Sequence, residues 1–170
     1  MATTLTTPRL RLVPMTADCC ASPDARDVIE RVTAARVPDS WPVEHYDQEA
    51  LDYTRNVLEK EPETEYLMRY MVTNGDEPQV IGIVGGAAPD EEGRAVIGYS
   101  VDPAWQRRGF AGEALTALVD WMRGDERVRV VVGETYPHLI PSIRTMEHCG
   151  FTFAGDGSGE GIIKYELPLR

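Results

Sequence analysis

The sequence has few cysteines and no long hydrophobic segment. The three cysteines, Cys19, Cys20 and Cys149, are odd in number and show no Cys-x-x-Cys spacing, which favours a reducing compartment over a disulfide framework. The longest nearly apolar run, residues 80–88, is far shorter than the roughly 20 residues of a membrane-spanning helix. Residues 1–14 lack the apolar core of a secretory signal. We therefore expect a cytoplasmic protein that makes no membrane contact.

The chain is also short of positive charge. It has 17 Lys and Arg against 28 Asp and Glu, a net charge of −11, whereas a nucleic-acid or anionic-membrane binder needs the opposite sign. Residues 1–92 carry 18 acidic and 8 basic residues, a balance of −10, and residues 93–170 carry 10 and 9, a balance of −1. Two interpretations are open. The acidic half is a solvated surface, or it attracts a cationic substrate while the other half accommodates an anion.

Several patterns that would define a site are missing. His45, His138 and His148 show no His-x-x-x-His or Cys/His spacing, so we expect no metal site. The sequence has no Walker-type phosphate loop and no Gly-x-Gly-x-x-Gly after a strand. Ser158 lies in Asp-Gly-Ser-Gly-Glu, which differs from the Gly-x-Ser-x-Gly turn of serine hydrolases. These absences disfavour metal-dependent, nucleoside-triphosphate and serine-hydrolase chemistry.

The rest of the composition is typical of one folded domain. The 170 residues are 42% hydrophobic and 26% charged, and we assign residues 1–170 to a single domain. Apolar periodicity predicts strands at 9–13, 66–73, 79–88, 94–101, 128–132, 151–154 and 162–167, and helices at 23–37, 47–60, 108–122 and 141–149. Antiparallel strands followed by strand–helix–strand predict a mixed α+β fold.

The junction between the fourth predicted strand and the third helix carries an anion-binding pattern. The strand ends at Val101, a turn follows, and a helix opens near Arg108. Free N–H groups at a helix start and the helix dipole attract anions. Gly109 lets the chain bend and leaves room for phosphate oxygens, and Arg107 adds charge beside Arg108. The alternative interpretation is a capped surface helix with a glycine near its start.

These residues resemble the GNAT superfamily of N-acetyltransferases. The pyrophosphate loop of that family has Gln or Arg, then Gly three residues on, then Gly or Ala, and Gln106, Gly109 and Ala111 match it. Residues 7–12, 97–103 and 141–151 are similar to the opening, the fourth strand and the closing helix of the branch that includes ribosomal-protein N-terminal acetyltransferases. The matches run in the family's order over nearly the whole chain.

The resemblance implies a single-domain GNAT fold. That fold has a central twisted mixed sheet with an antiparallel N-terminal part, parallel fourth and fifth strands that splay apart, and helices on both faces. The implied cofactor is acetyl-CoA as co-substrate, with no metal. The implied cofactor-binding residues are Tyr99, Val101, Gln106, Arg107, Arg108, Gly109, Phe110, Ala111, Gly112 and Ser142. The backbone at the fourth-strand edge would pair with pantetheine and hold the thioester oxygen.

The implied reaction moves an acetyl group to a primary amine by direct attack in a ternary complex. The expected acceptor is a small molecule or a peptide N-terminus. Nucleic acid and membrane are not expected partners. The protein is expected to be a monomer or a homodimer. The alternative is a GNAT-like module that binds CoA with little or no turnover. Trp41, Tyr46 and Tyr53 are candidates to line the acceptor cleft, or they belong to the core.

The catalytic residues depart from the family pattern. The position of the family's frequent catalytic tyrosine holds Met146, which cannot donate a proton, Val96 replaces a frequent carboxylate, and Leu139 replaces an asparagine. We therefore predict Glu134, at the end of the fifth strand, as the general base. The predicted acid is Ser142, and Tyr136 is the reserve acid on the same strand face if the strand persists. The alternative for Glu134 is a solvated surface carboxylate with no catalytic role. The alternative for Ser142 is a hydroxyl at the helix start that bonds to backbone N–H groups.

Overall fold

The computed structural model describes residues 2–170 and places them around one mixed sheet. The strands are β1 (Leu5–Thr6), β2 (Leu10–Pro14), β3 (Met68–Thr73), β4 (Val80–Gly86), β5 (Arg94–Val101), β6 (Val130–Thr135), β7 (Thr152–Asp156) and β8 (Ile163–Pro168). All eight lie in one sheet, in the order β1-β2-β3-β4-β5-β6-β8-β7. The α-helices are α1 (Arg26–Thr33), α2 (Gln48–Lys60), α3 (Phe110–Met122) and α4 (Ile140–His148).

The strand register creates a split in the middle of the sheet. Strands β1 to β5 pair antiparallel in sequence, and β5 pairs parallel with β6 from Arg94↔Val130 to Ile97↔Gly133. Beyond Gly133, β6 pairs only with β8, so β5 and β6 part after Ile97. The predicted splay between two parallel strands, the fourth and fifth of the sequence pattern, is confirmed as β5 and β6.

Helices cover both faces of the sheet and close two apolar cores. On one face, α3 buries Leu115 and Leu118 against Leu12 and Ile81 of the sheet. On the other face, α1 and α2 contribute Ile29 and Leu51 to a separate cluster. Because β-strand side chains alternate between faces, the buried strands β3 and β4 supply residues to both clusters. The predicted α+β class with helices on both faces is confirmed.

The N-terminal region differs from the prediction. Strand β1 and a 3-10 helix at Ala17–Ala21 were not expected, and α1 begins at Arg26 instead of near Pro23. Ser22 forms a turn in front of the helix, in which its carbonyl accepts the N–H of Ala25. Cys19 and Cys20 are free and fully buried, and they pack as small apolar side chains.

Within the described part of the chain, no helix is long and apolar enough to cross a membrane.

Candidate active site

The loop at residues 102–109 connects the free end of β5 to α3. A 3-10 turn at Pro103–Trp105 starts the loop, and Arg107 (φ 60°) and Gly109 (φ 81°) adopt left-handed backbone conformations before α3 begins at Phe110. Among residues 2–170, no group accepts a hydrogen bond from the N–H groups of residues 107–112. The loop therefore presents a continuous row of amide donors at a helix N-terminus, which is suited to a phosphate or pyrophosphate group.

Two acidic residues hold this loop in place. Asp102 is 1% exposed, and its carboxylate accepts the N–H of Ala104 (2.9 Å) and the hydroxyl of Ser40. Glu113, in the first turn of α3, forms an ion pair with Arg9 at 2.6 Å and accepts the Thr7 hydroxyl at 2.5 Å. Although partial burial opposes ionisation, hydrogen bonds from Thr7 and Arg9 lower the pKa of Glu113. Both carboxylates are therefore structural supports of the loop.

Arg9, the residue before β2, also supports the loop. Its guanidinium donates to the Arg108 carbonyl at 2.9 Å and lies 4.3 Å from the centroid of the Phe110 ring. A Cβ added to Gly109 would lie 3.3 Å from Arg9 Nη2. Sequence reasoning missed the roles of Arg9, Glu113 and Asp102, although Asp102 precedes a proline in the arrangement of a helix cap.

The predicted cofactor residues take different parts in this geometry. Arg107 and Arg108 are exposed beside the amide row, and the Arg108 guanidinium lies 5.1 Å from the Trp105 ring centroid. Phe110 is buried, so its ring packs in the core and only its N–H faces the site. The Gln106 side chain donates to the Val101 carbonyl at 2.8 Å, which ties the loop to the end of β5.

The free edge of β5 faces the gap left by β6. Val96 O and Asp102 N bond toward β4, so by alternation Tyr99 and Val101 direct their N–H groups toward the gap. The Tyr99 hydroxyl crosses the gap to α4, donates to the Ser142 carbonyl at 3.0 Å and lies 3.2 Å from Ser142 Oγ. Burial raises the pKa of Tyr99, so its phenol stays protonated at neutral pH.

An open groove of about 1090 Å³ runs past the amide row on the α3 and α4 face. Its walls come from the N-terminal segment, the start of α3 and the end of α4, and they include Arg107, Gly109, Gly112, Arg144 and His148. The groove can accommodate a bulky anionic group whose phosphates contact the loop. Ala111 and Phe110 are absent from the groove lining and contribute to the site through the helix start.

A second cavity, of about 530 Å³, lies on the opposite face of the sheet. Strands β4 and β5 form one wall, including Val96, Ile97 and Gly98, and α2 with the segment before it forms the other. Ile97 is the last residue of β5 that pairs with β6. The cavity thus reaches the point where the two strands part, and a small molecule bound there would approach the gap from the side opposite α3 and α4.

The predicted acceptor aromatics divide between this cavity and the core. Tyr46 and Tyr53 line the cavity. Trp41 is 3% exposed, lies outside the cavity lining and packs against Tyr46 with ring centroids 4.8 Å apart. The core interpretation is correct for Trp41, whose ring belongs to the same buried cluster as Tyr46 and Tyr70.

The predicted base, Glu134, faces the same side of the sheet as the second cavity. A Cβ on Gly133 would lie 2.5 Å from Met146 Sδ of α4, so Glu134, the next residue of β6, points to the opposite face. Its carboxylate accepts the N–H and the hydroxyl of Ser158 at 2.8 and 2.6 Å. Glu134 is therefore anchored to the β7–β8 turn.

Tyr136 lies outside the strand that was expected to orient it. Strand β6 ends at Thr135, so strand alternation no longer places Tyr136 on the face of Glu134. Its ring is 44% exposed and stacks on His138 at 5.7 Å. Met146, at the family's tyrosine position, is 1% exposed and belongs to the core. Among residues 2–170, no group of three or more His, Cys, Asp or Glu side chains is arranged to hold a metal ion.

A mixed sheet with two parting parallel strands, and a helix start with free N–H groups beside the gap, is the architecture of the GNAT fold. Residues 9–152 match the model of the acetyltransferase (GNAT) domain family. The chain belongs to this family.

The relatives agree with this assignment. The chain is 28% identical over 112 residues to an uncharacterized N-acetyltransferase, YjdG, of Bacillus subtilis, which covers 65% of this chain and 66% of the relative. A putative ribosomal-protein-serine acetyltransferase from Vibrio cholerae has the same fold, with a TM-score of 0.70, 19% identity and 99% of each chain covered. A ribosomal-protein alpha-N-protein acetyltransferase in complex with coenzyme A has a TM-score of 0.66, 15% identity and 98% of each chain covered.

Proposed function

We propose that the protein transfers an acetyl group from acetyl-CoA to a primary amine. The observation that carries this proposal is the row of unpaired N–H groups at residues 107–112, which lies at the start of α3 beside the gap between β5 and β6. The row would hold the pyrophosphate of the cofactor, and the groove beside it would hold the nucleotide. A structural neighbour crystallised with coenzyme A supports this cofactor.

The pantetheine arm would enter the gap between the two strands. Tyr99 and Val101 would pair with its amides as an added strand, and a backbone N–H at this edge would hold the thioester oxygen and the oxyanion formed on attack. The acceptor amine would arrive through the second cavity, on the other side of the sheet. Cofactor and acceptor then meet where β5 and β6 separate, so both are bound before acetyl transfer.

The proposal is tested by following free thiol when the protein is mixed with acetyl-CoA and a panel of primary amines. Thiol release that depends on the amine, together with an acceptor mass increase of one acetyl group, supports the proposal. Tight binding of coenzyme A without turnover for any amine or peptide would instead identify a CoA-binding module and overturn it.

Glu134 and Ser142 are the groups proposed to move protons. Glu134 would accept a proton from the amine, directly or through water, and Ser142 would protonate the leaving thiolate. Solvent would then return the proton from Glu134 to the Ser142 oxygen, which restores both groups. Ser142 lies at the start of α4 beside the gap, in contact with the protonated Tyr99 phenol. We propose no catalytic step for Tyr136 because the strand ends before it.

Ser142→Ala is expected to lower turnover about 100-fold and to change the affinity for coenzyme A by less than about threefold. The hydroxyl is removed, but the Ser142 carbonyl still accepts the Tyr99 hydroxyl and preserves the link across the gap. Steady-state kinetics and CoA titration of the same preparation separate the two quantities. Tyr99→Phe is the companion variant, because it removes the other hydroxyl of the contact between Tyr99 and Ser142. Unchanged turnover in Ser142→Ala would exclude Ser142 as the acid.

A further inference from the structure

We propose that the second cavity, which we call the acceptor cavity, selects cationic amines that carry no carboxylate and have an apolar or aromatic body. This inference rests on the proposed function, because it names the acceptor class of the same reaction. Three observations support it: the cavity lining is mostly apolar, the hydroxyls of two lining tyrosines are hydrogen-bonded to residues outside the lining, and the lining carboxylates are not balanced by Lys or Arg.

The inner part of the acceptor cavity is apolar even where its residues are tyrosines. Tyr46 and Tyr66 both line it, but their hydroxyls bond elsewhere: Tyr46 to the Tyr70 hydroxyl at 2.7 Å and Tyr66 to Asp125 at 2.8 Å. They therefore offer ring carbons to a ligand. Aliphatic neighbours complete this wall, namely Met15, Leu51, Val57, Leu67, Met68 and Ile83. A ligand body of carbon chain or ring gains most from such a surface.

The charged part of the lining is negative. Asp47 and Glu49 line the cavity where α2 begins, and the lining, drawn from residues 2–170, includes no Lys or Arg. The two carboxylates outweigh the roughly half positive charge of a helix N-terminus. His45 also lines the cavity, and its imidazole lies 3.8 Å from the Glu44 carboxylate, so a protonated His45 is already paired. Tyr53, 61% exposed at the rim, offers a ring face to a cation.

An acceptor carboxylate would meet no Lys or Arg side chain in this cavity, and a protonated His45 is already beside the Glu44 carboxylate. It would lose part of its hydration beside Asp47 and Glu49 without gaining a partner. An ammonium group, in contrast, would be stabilised by the carboxylates of Asp47 and Glu49 and by the Tyr53 ring. The cavity thus favours an amine over the amino acid of the same skeleton. Two kinds of acceptor have an amine without a neighbouring carboxylate: a free amine, and a peptide N-terminus, in which an amide replaces the carboxylate.

The test compares acceptors that differ only in the carboxylate: cadaverine with lysine and tyramine with tyrosine. We expect kcat/KM at least about tenfold higher for the decarboxylated member of each pair, with capture that weakens as salt rises. Tyrosine amide and a dipeptide amide with N-terminal tyrosine form a third arm. Preference for the dipeptide amide would identify a peptide source, and preference for tyramine a free amine. Equal or higher kcat/KM for lysine and tyrosine would overturn the inference.

Variants connect the preference to this cavity. Glu49→Gln is expected to reduce the preference for cadaverine over lysine by about threefold or more. Asp52→Asn is the matched control, because it removes one carboxylate of α2 that does not line the cavity, and it should leave the preference unchanged. A Cβ on Gly98 meets open space, so Gly98→Leu would fill the cavity and raise the KM for cadaverine at least about tenfold. Equal effects of Glu49→Gln and Asp52→Asn would also contradict the inference.

The outcomes separate the inference from the proposed function. If no amine releases thiol from acetyl-CoA, the proposed function fails. If amines are acetylated but the carboxylate-bearing members are preferred, the proposed function stands and the inference about the cavity is wrong.

Discussion

Gly109→Glu is expected to weaken the binding of coenzyme A by about 100-fold or more, because like charges brought together cost several kcal/mol. Gly109 lies within the row of unpaired N–H groups at residues 107–112, so the new carboxylate would compete with the pyrophosphate for the same donors. Its Cβ would also lie 3.3 Å from Arg9 Nη2, and its carboxylate would attract that guanidinium away from the Arg108 carbonyl. Isothermal titration with coenzyme A measures the loss.

The control must separate an effect at this loop from the general effect of placing Glu at a left-handed glycine. Gly109 has a φ of 81°, which side chains adopt at a cost of about 1–3 kcal/mol. Gly75→Glu places the same residue at another left-handed glycine (φ 116°), where a Cβ meets nothing within 4 Å. That variant should bind coenzyme A like the unmodified protein. Unchanged affinity in a folded Gly109→Glu variant would contradict the assignment of the loop to the cofactor.

Glu134→Gln is expected to lower turnover at pH 7 by about 100-fold, the usual contribution of a positioned base. The attacking amine must be neutral, yet an amine with a pKa near 10.4 is under about 0.1% neutral at pH 7. Without a base, the rate of the variant should rise about tenfold per pH unit as free amine becomes abundant. The ratio of unmodified to variant rates should therefore shrink from pH 7 to pH 10, measured as kcat/KM for one amine.

Glu134 also anchors the β7–β8 turn, and this role needs its own control. Ser158→Ala removes the 2.6 Å hydroxyl contact but keeps the Glu134 carboxylate and the backbone N–H contact at 2.8 Å. If Glu134 is the base, Ser158→Ala should retain turnover within about threefold. If Ser158→Ala loses as much activity as Glu134→Gln and higher pH restores neither, the carboxylate has only a structural role.

Elements specified by short-range signals were predictable from the sequence. Helix α2 was expected at 47–60 and spans Gln48–Lys60, with the Asp47 carboxylate accepting the N–H of Ala50 as an N-cap. Strand β5 has the predicted bounds, Arg94–Val101. Strand β1 was not predictable, because its two residues are too few to carry a periodic pattern and are held only by pairing with β2, Leu5 with Leu12.

The part of the candidate site that is formed by residues adjacent in sequence was predictable. The loop around Gly109 could be found because a glycine, a helix start and two arginines are neighbours in sequence. Arg9 and Glu113 could not be paired from sequence, since 104 residues separate the two groups that meet at 2.6 Å. Tyr136 could not be oriented either, because the end of β6 at Thr135 is set by pairing with Ile163 of β8.

The sequence by itself determined the family, the class of the fold and the position of the loop that leads into α3 at Gly109, because periodicity, turn residues and helix starts act over a few neighbouring residues. Only the tertiary structure decided that β5 and β6 part after Ile97, that Glu134 faces the cavity side while bound to Ser158, and that tyrosines turn ring carbons to the cavity. These features depend on strand register and on contacts between distant segments, and such contacts form only when the whole sheet assembles.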